Sequence, residues 1–102
     1  MSTNALIVAL ESGKNLLQVV GETFWSGKIN HLLARMSANH SADDIRNILS
    51  WFGGMGSFND LIISAANDHD VNPDEESKYN DELDRIRETI YVEANKLAAQ
   101  TD

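Results

Sequence analysis

The chain has 102 residues, of which 42% are hydrophobic, and its 16 acidic residues outnumber its 8 basic ones to give a net charge of −8. This length and hydrophobic content suit a single core, so we expect one helical domain over residues 1–102. The acidic balance argues against nucleic acid or an anionic membrane as a partner, and the absence of cysteine excludes disulfides and thiolate catalysis.

Two helices are predicted in the first part of the chain. Apolar residues fall on one helical stripe over residues 3–20, where Gly13 indicates a bend or a close packing contact. Gly21 marks the end of this helix. A second stripe predicts a helix over residues 22–38; its apolar members are Trp25, Ile29, Leu32, Leu33 and Met36.

A third helix is predicted to begin at Ser41, because Ser41 is a good capping residue and Asp44 follows three residues later. Gly53 stands where a left-handed cap would end this helix. The apolar face of the helix consists of Ile45, Ile48, Leu49 and Phe52.

The fourth helix has a clear start signal at residues 72–75, where Asn72 is predicted to cap, Pro73 to occupy the first helical position and Glu75 to complete a capping box. Asp84 and Arg87 are expected to pair on its outer side, which contributes about 0.3 kcal/mol. The apolar stripe of this helix consists of Tyr79, Leu83, Ile86, Ile90, Ala94 and Leu97.

The segment between helices 3 and 4 is harder to interpret. Ser57 and Asp60 could form a cap pair before residues 61–63, although the β-branched residues there suit a short extended piece equally well; we favour a short helix or turn. The fold class that follows from all these elements is all-α: a small single-domain bundle of four main helices, with a Gly-rich turn between helices 3 and 4.

Residues 51–61 hold half of the six glycines of the chain between bulky aromatic residues. Glycine clusters occur where the backbone needs positive φ or close approach by another group, so this segment is the best site candidate. A structural reversal, an anion nest of backbone N–H groups and a protein-contact surface are the three alternatives. The candidate binding surface consists of Trp51, Gly53, Gly54, Gly56, Ser57, Phe58, Asn59 and Asp60.

Known site motifs do not fit this chain. Asn59 stands where a dinucleotide fingerprint needs its third glycine, and no lysine follows Gly56 as a P-loop requires. Residues 68–74 resemble the start of a calcium loop, but Pro73 and Tyr79 occupy its Gly and Glu positions. His31, His40 and His69 show no metal-binding spacing. We therefore expect no metal, no cofactor and no catalytic residues.

The aromatic residues could fill the core or anchor a partner. Trp25 and Phe52 lie on apolar stripes and are predicted to be core residues. Trp51 and Phe58 lie beside the stripes, so either role stays open for them.

The sequence of residues 52–61, Phe-Gly-Gly-Met-Gly-Ser-Phe-Asn-Asp-Leu, together with Gly21, Glu22 and Trp25, resembles an uncharacterised family of small bacterial all-helical proteins of unknown function. The resemblance covers about residues 6–98, and its specific part is the Gly-Gly-Met-Gly-Ser-Phe-Asn-Asp-Leu motif. It implies a helical fold and importance for the motif residues, but no activity.

Two functions remain open on this basis. The first is a small acidic cytoplasmic protein of a binding or inhibitory kind, such as a toxin-immunity protein, which meets a basic protein partner. The second is a pocket for a small ligand or anion, enzymatic in one version, built over residues 54–60. Self-association through leftover apolar surface is a third expectation.

Overall fold

The computed structural model of the chain describes residues 4–39, 42–53 and 57–100. Within these ranges the protein is helical and contains no strand, so the predicted all-α bundle of four main helices is confirmed. The helices are α1, Asn4–Val19; α2, Thr23–Asn39; α3, Ala42–Leu49; and α4, Glu76–Gln100. Three short 3-10 turns lie between α3 and α4, at Phe58–Asp60, Ala65–Asn67 and Pro73–Glu75.

The corner between α1 and α2 is built by glycine and glutamate. Gly21 has a φ of 74°, and the N–H groups of Gly21 and Glu22 donate to the carbonyls of Gln18 and Leu17 at 3.2 and 2.8 Å. This is a Schellman ending, which confirms Gly21 as the terminator of α1. The Glu22 carboxylate then accepts from the N–H of Trp25 at 3.0 Å and so caps α2.

All four helices contribute to the core, together with Trp51, Phe58 and Ile63 of the segment between α3 and α4. Helix α1 packs against α2 and α4, and α3 packs against α4. Gly13 confirms the expected close contact, because a Cβ atom there would lie 3.3 Å from the Ile86 side chain of α4. The apolar stripe of α4 is confirmed by the burial of Leu83, Ile90, Ala94 and Leu97. None of the described helices is long and apolar enough to cross a lipid bilayer.

The predicted end of α3 is wrong. The helix ends at Leu49, and the N–H groups of Ser50, Trp51 and Phe52 continue in turns to carbonyls three or four residues earlier. Gly53 lies beyond these turns with a φ of 158°, outside the left-handed helical region, so it is not the cap. The predicted cap at the other end, Ser41, lies outside the described residues.

The start of α4 also differs in detail from the prediction. Pro73 does occupy the first helical position, but in a 3-10 turn that precedes the α-helix. Asn72 makes no side-chain cap; its Nδ2 donates instead to the Glu75 carboxylate at 3.1 Å. The side chains therefore bond to each other rather than to the backbone groups of a capping box.

The short helix or turn favoured in this segment is found at Phe58–Asp60, whereas residues 61–64 are not helical. Side chains of α4 bond to the backbone of Leu61 and Ile63. Asn80 pairs with Ile63 in both directions: its Oδ1 accepts from the Ile63 N–H at 2.8 Å, and its Nδ2 donates to the Ile63 carbonyl at 2.9 Å. The amide side chain thus replaces a neighbouring strand, which explains how a segment with no ladder partner can pack its backbone.

Arg87 performs the same task for the preceding turn. Its Nη1 donates to the carbonyls of Phe58 and Leu61, both at 2.8 Å, and its Nη2 bonds to Asp84. The residue is only 8% exposed. The predicted pair of Asp84 and Arg87 forms, but its placement on the outer side is wrong for Arg87, because the guanidinium is buried and binds two carbonyl groups.

Candidate functional site

The structure separates the predicted binding surface into buried and exposed parts. Gly53, Asn59 and Asp60 are exposed and Ser57 is half-buried, whereas Gly54 and Gly56 lie outside the described residues. Trp51 is 2% exposed and Phe58 is fully buried. These two aromatic residues are core residues, so their inclusion in a binding surface is wrong.

The burial of Trp51 and Phe58 follows from an aromatic cluster that they form with Trp25. The Trp25 ring centroid lies 4.9 Å from that of Phe58 and 5.8 Å from that of Trp51, distances at which aromatic pairs attract each other. The Phe58 N–H donates to the Trp51 carbonyl at 2.9 Å. This bond joins positions 51 and 58 of the segment, which supports the structural reversal among the three alternatives.

A cavity of about 270 Å³ lies where the turn Phe58–Asp60 meets α4. The turn contributes Asn59, the segment after α3 contributes Phe52, and α4 contributes Asp84, Glu88 and Tyr91. We call these five residues the acidic-aromatic cavity. Their spacing on α4, at positions 84, 88 and 91, places the last three on one helix face, which is the sequence signal that could have found them.

The acidic-aromatic cavity combines two kinds of group that attract cations. The ring centroids of Phe52 and Tyr91 are 5.1 Å apart, Tyr91 is 46% exposed, and the Asp84 side chain is 66% exposed. Arg87 also lines the cavity, but its guanidinium already binds two carbonyl groups and Asp84. Carboxylates and aromatic faces together suit a lysine or arginine side chain from a partner.

Glu22 and His69 form a second polar group that the sequence did not predict. The His69 Nε2 lies 3.0 Å from the Glu22 Oε1, and the His69 Nδ1 accepts from the Ser64 N–H at 3.0 Å. Because Nδ1 is an acceptor, the ring proton is on Nε2, which donates to the carboxylate. The two residues are 47 positions apart, so only the folded chain brings them together.

The pKa of Glu22 is set by two opposing effects. Burial raises the pKa of this carboxyl group, but hydrogen bonds from the His69 ring and the Trp25 N–H outweigh burial. The pKa of Glu22 therefore lies below its usual value, and the carboxylate is the form that the fold stabilises.

A cavity of about 260 Å³ lies beside this pair and is lined by Ser57 and Asp60 as well as by Glu22 and His69. The Ser57 Oγ is buried and has no hydrogen-bond partner among the described residues; Ser57 does not cap the turn that follows it. Both nitrogens of His69 and both oxygens of Glu22 are engaged in bonds within the fold. The Glu22–His69 pair therefore connects the start of α2 to the loop before α4, and neither side chain is free to act as a general base on a substrate.

The described part of the chain holds no group of three His, Asp or Glu side chains placed to bind a metal ion. His31 is exposed, and His40 lies outside the described residues. Fold and site together define the class: a small all-α protein whose open cavity combines acidic and aromatic side chains.

Comparison with known proteins places the chain in a family. Residues 18–72, just over half of the chain, match the model described as Domain of unknown function (DUF6966), and the chain belongs to that family. The predicted resemblance to an uncharacterised family is thereby confirmed. No curated protein and no solved structure matches the chain. The matched segment includes the Glu22–His69 pair and ends before α4.

Proposed function

We propose that this protein is a protein-binding domain of an inhibitory, immunity-like kind, which holds a basic partner protein at the acidic-aromatic cavity. The observation that carries the proposal is that two exposed carboxylates and two aromatic rings line one open cavity. As part of the same proposal, the protein acts in the cytoplasm, which agrees with a chain without cysteine.

The charge of the surrounding surface supports a basic partner. Residues 68–93 carry ten acidic side chains, each exposed or half-buried, against Lys78, Arg85 and Arg87. Arg87 is buried, so it contributes little to the outer surface. A field of one sign raises the association rate with an oppositely charged protein and disfavours acidic competitors.

The cavity supplies a specific contact within this broad field. A cationic side chain that enters it meets the Asp84 and Glu88 carboxylates and the half-exposed ring of Tyr91. Charge-assisted hydrogen bonds and cation–π contacts are both stronger when the site excludes water, as a protein interface does. Asn59, from the predicted binding surface, adds an amide from the turn Phe58–Asp60.

The alternative, a ligand or enzymatic pocket over residues 54–60, has less support. The cavity beside Asp60 and Ser57 is the place for it, but the neighbouring His69 and Glu22 are engaged in the fold. Self-association stays a prediction, and light scattering of the purified protein measures it.

The test compares how well two double variants of α4 bind a partner protein that the wild type captures. Glu88→Gln/Tyr91→Ala removes a carboxylate and a ring from the cavity. The control, Glu82→Gln/Val92→Ala, removes a carboxylate and shortens an apolar side chain at exposed positions that do not line the cavity. Circular dichroism and thermal unfolding verify that both remain folded. Trp51→Ala is unsuitable because Trp51 lies in the core.

A partner captured by the wild type from its own cells is identified, purified and titrated by calorimetry. We expect a basic protein whose binding weakens as salt rises, with a dissociation constant about 100-fold weaker for Glu88→Gln/Tyr91→Ala and within about twofold for the control. A neutral or acidic partner, or equal binding by both variants, would contradict the proposal.

A further inference from the structure

We propose that the groove between α2 and α3 binds a small organic anion that carries an apolar group. The groove has a volume of about 440 Å³ and is lined by Phe24, Gly27, Lys28, His31 and Arg35 of α2 and by Asn47 of α3. We call it the cationic groove. It is separate from the acidic-aromatic cavity, so the inference does not depend on the proposed protein partner.

The polar side chains of the cationic groove can all donate hydrogen bonds. Lys28, His31 and Arg35 recur at helical spacing on one side of α2, and none of the described residues that line the groove is acidic, although the chain has a net charge of −8. Charges beyond about 8 Å are largely screened at physiological ionic strength, so nearby groups decide which ligand is attracted. The Asp44 carboxylate offsets the charge of Arg35, so Lys28, which pairs with no carboxylate among the described residues, supplies most of the positive charge of the groove.

The two cationic side chains, Lys28 and Arg35, are held in place by the fold. Arg35 binds the buried Asp44 at 2.9 Å, while 55% of the Arg35 side chain stays exposed. The Lys28 Nζ lies 4.8 Å from the Trp25 ring centroid and 5.6 Å from that of Phe24. Positioned donors lose less conformational freedom when a ligand binds, which favours affinity.

Gly27 is a second, independent observation. It lies in the interior of α2, where glycine is destabilising relative to alanine, yet a Cβ atom at this position would have no neighbour within 4 Å. Packing inside the protein therefore does not require glycine here. The missing side chain leaves the α2 backbone open between Phe24 and His31, where a ligand can approach it.

Phe24 defines the apolar part of the ligand. Its side chain is 67% exposed beside the cations. A carboxylate or phosphate attached to a ring would bind the cations with its charged end and pack its ring on Phe24. An inorganic anion would use only half of this site.

The test is an NMR titration of the full chain with phenyl phosphate, in parallel with inorganic phosphate and phenol. We expect saturable shifts of the amides of α2 and α3 that line the groove with phenyl phosphate, weaker binding of inorganic phosphate and none of phenol. Absence of saturable shifts with phenyl phosphate, or shifts confined to other parts of the chain, would overturn the inference.

Variants decide whether the groove itself is the site. Lys28→Gln should weaken binding about tenfold, whereas Lys96→Gln, an equal charge change on α4, should alter it by less than about twofold. Gly27→Leu should block the groove and abolish binding. Equal losses in the two lysine variants, or full binding by folded Gly27→Leu, would overturn the inference; if Gly27→Leu does not fold, the lysine pair decides.

Discussion

The loop that joins α3 to α4 is held at its two ends by different chemistry. Near its start, Arg87 and Asn80 of α4 bind the backbone of Phe58, Leu61 and Ile63. Near its end, His69 binds Ser64 and the Glu22 cap of α2. The Arg87 and Asn80 side chains near the start do not change protonation at ordinary pH values, whereas the contacts near the end include the titratable Glu22 carboxylate.

The two ends of the loop also differ in whether the family model covers the side chains that hold them. The segment matched by the family model, residues 18–72, contains both Glu22 and His69 but neither Arg87 nor Asn80. Residues 18–72 therefore contain both side chains that hold the end of the loop, Glu22 and His69. The side chains that hold its start belong to α4. Loss of the α4 contacts should have the larger effect, because it leaves buried carbonyl groups without donors.

The largest expected effect follows from Arg87→Met. Methionine fills part of the volume but leaves the carbonyls of Phe58 and Leu61 without their donor, so the free energy of unfolding in urea should fall by about 3 kcal/mol. The control is Arg85→Met on the exposed side of α4, which should change it by less than about 0.5 kcal/mol. Equal losses would show that the carbonyl contacts are unimportant.

A smaller loss is expected for His69→Ala, which removes the acceptor of the Ser64 N–H and the donor to Glu22. We expect about 2 kcal/mol by urea unfolding. His69→Asn should recover part of this loss, because the asparagine oxygen can replace Nδ1 as the acceptor. The control is His31→Ala, because His31 is exposed. A comparable loss in that variant would show that the His69 contacts do not stabilise the end of the loop.

Asn80→Ala tests the pairing with Ile63 and should cost about 1.5 kcal/mol, because water can reach this partly buried backbone and replace some of the bonds. Asn95→Ala, which removes only a local bond to the Tyr91 carbonyl, is the matched control on the same helix. Hydrogen exchange of the Ile63 amide should accelerate in Asn80→Ala but not in the control.

The smallest expected effect is the pH dependence that Glu22 gives to the free energy of unfolding. It distinguishes the contacts at the end of the loop from those at its start. The pKa of Glu22 is lowered in the fold, so its contribution is fully present above the unfolded value of about 4.3 and is lost as pH falls through the folded value. Glu22→Gln should therefore cost about 1 kcal/mol at pH 7 and progressively less below about pH 4.

Urea unfolding of wild type and Glu22→Gln between pH 7 and below about pH 4 measures how the difference in the free energy of unfolding depends on pH. The difference between wild type and Arg87→Met should change less over the same range, because the two carbonyl groups that Arg87 binds do not titrate. A difference for Glu22→Gln that does not shrink in acid would mean that the carboxylate form has no special role.

The helices were predictable because each depends on its own residues. Periodic apolar residues predicted the four main helices, and Gly21 and Pro73 occupy the positions expected of them. Gly53 and Asn72 show the limit of local signals: α3 ends before Gly53, and Asn72 binds Glu75 instead of the backbone. Gly53 lacks the backbone geometry of a left-handed cap, whereas Asn72 has the backbone geometry of a cap but its side chain bonds to Glu75.

The site was predictable only in part. Asn59 belongs both to the predicted surface and to the acidic-aromatic cavity, whereas the α4 residues of that cavity were missed because they are distant in sequence. Trp51 and Phe58 were left open between core and surface; their packing around Trp25, mostly edge to face, makes them core residues. Whether an aromatic side chain beside a helix stripe is buried depends on what another element places over it.

The sequence by itself determined the helical class, the acidic charge and the position of the glycine turn, because periodicity, charge and backbone freedom are properties of neighbouring residues. Only the tertiary structure decided that Arg87 turns inward, that His69 meets Glu22, and that acids and rings of α4 share a cavity with Asn59. These contacts join residues far apart along the chain, so their energies exist only once the helices have packed.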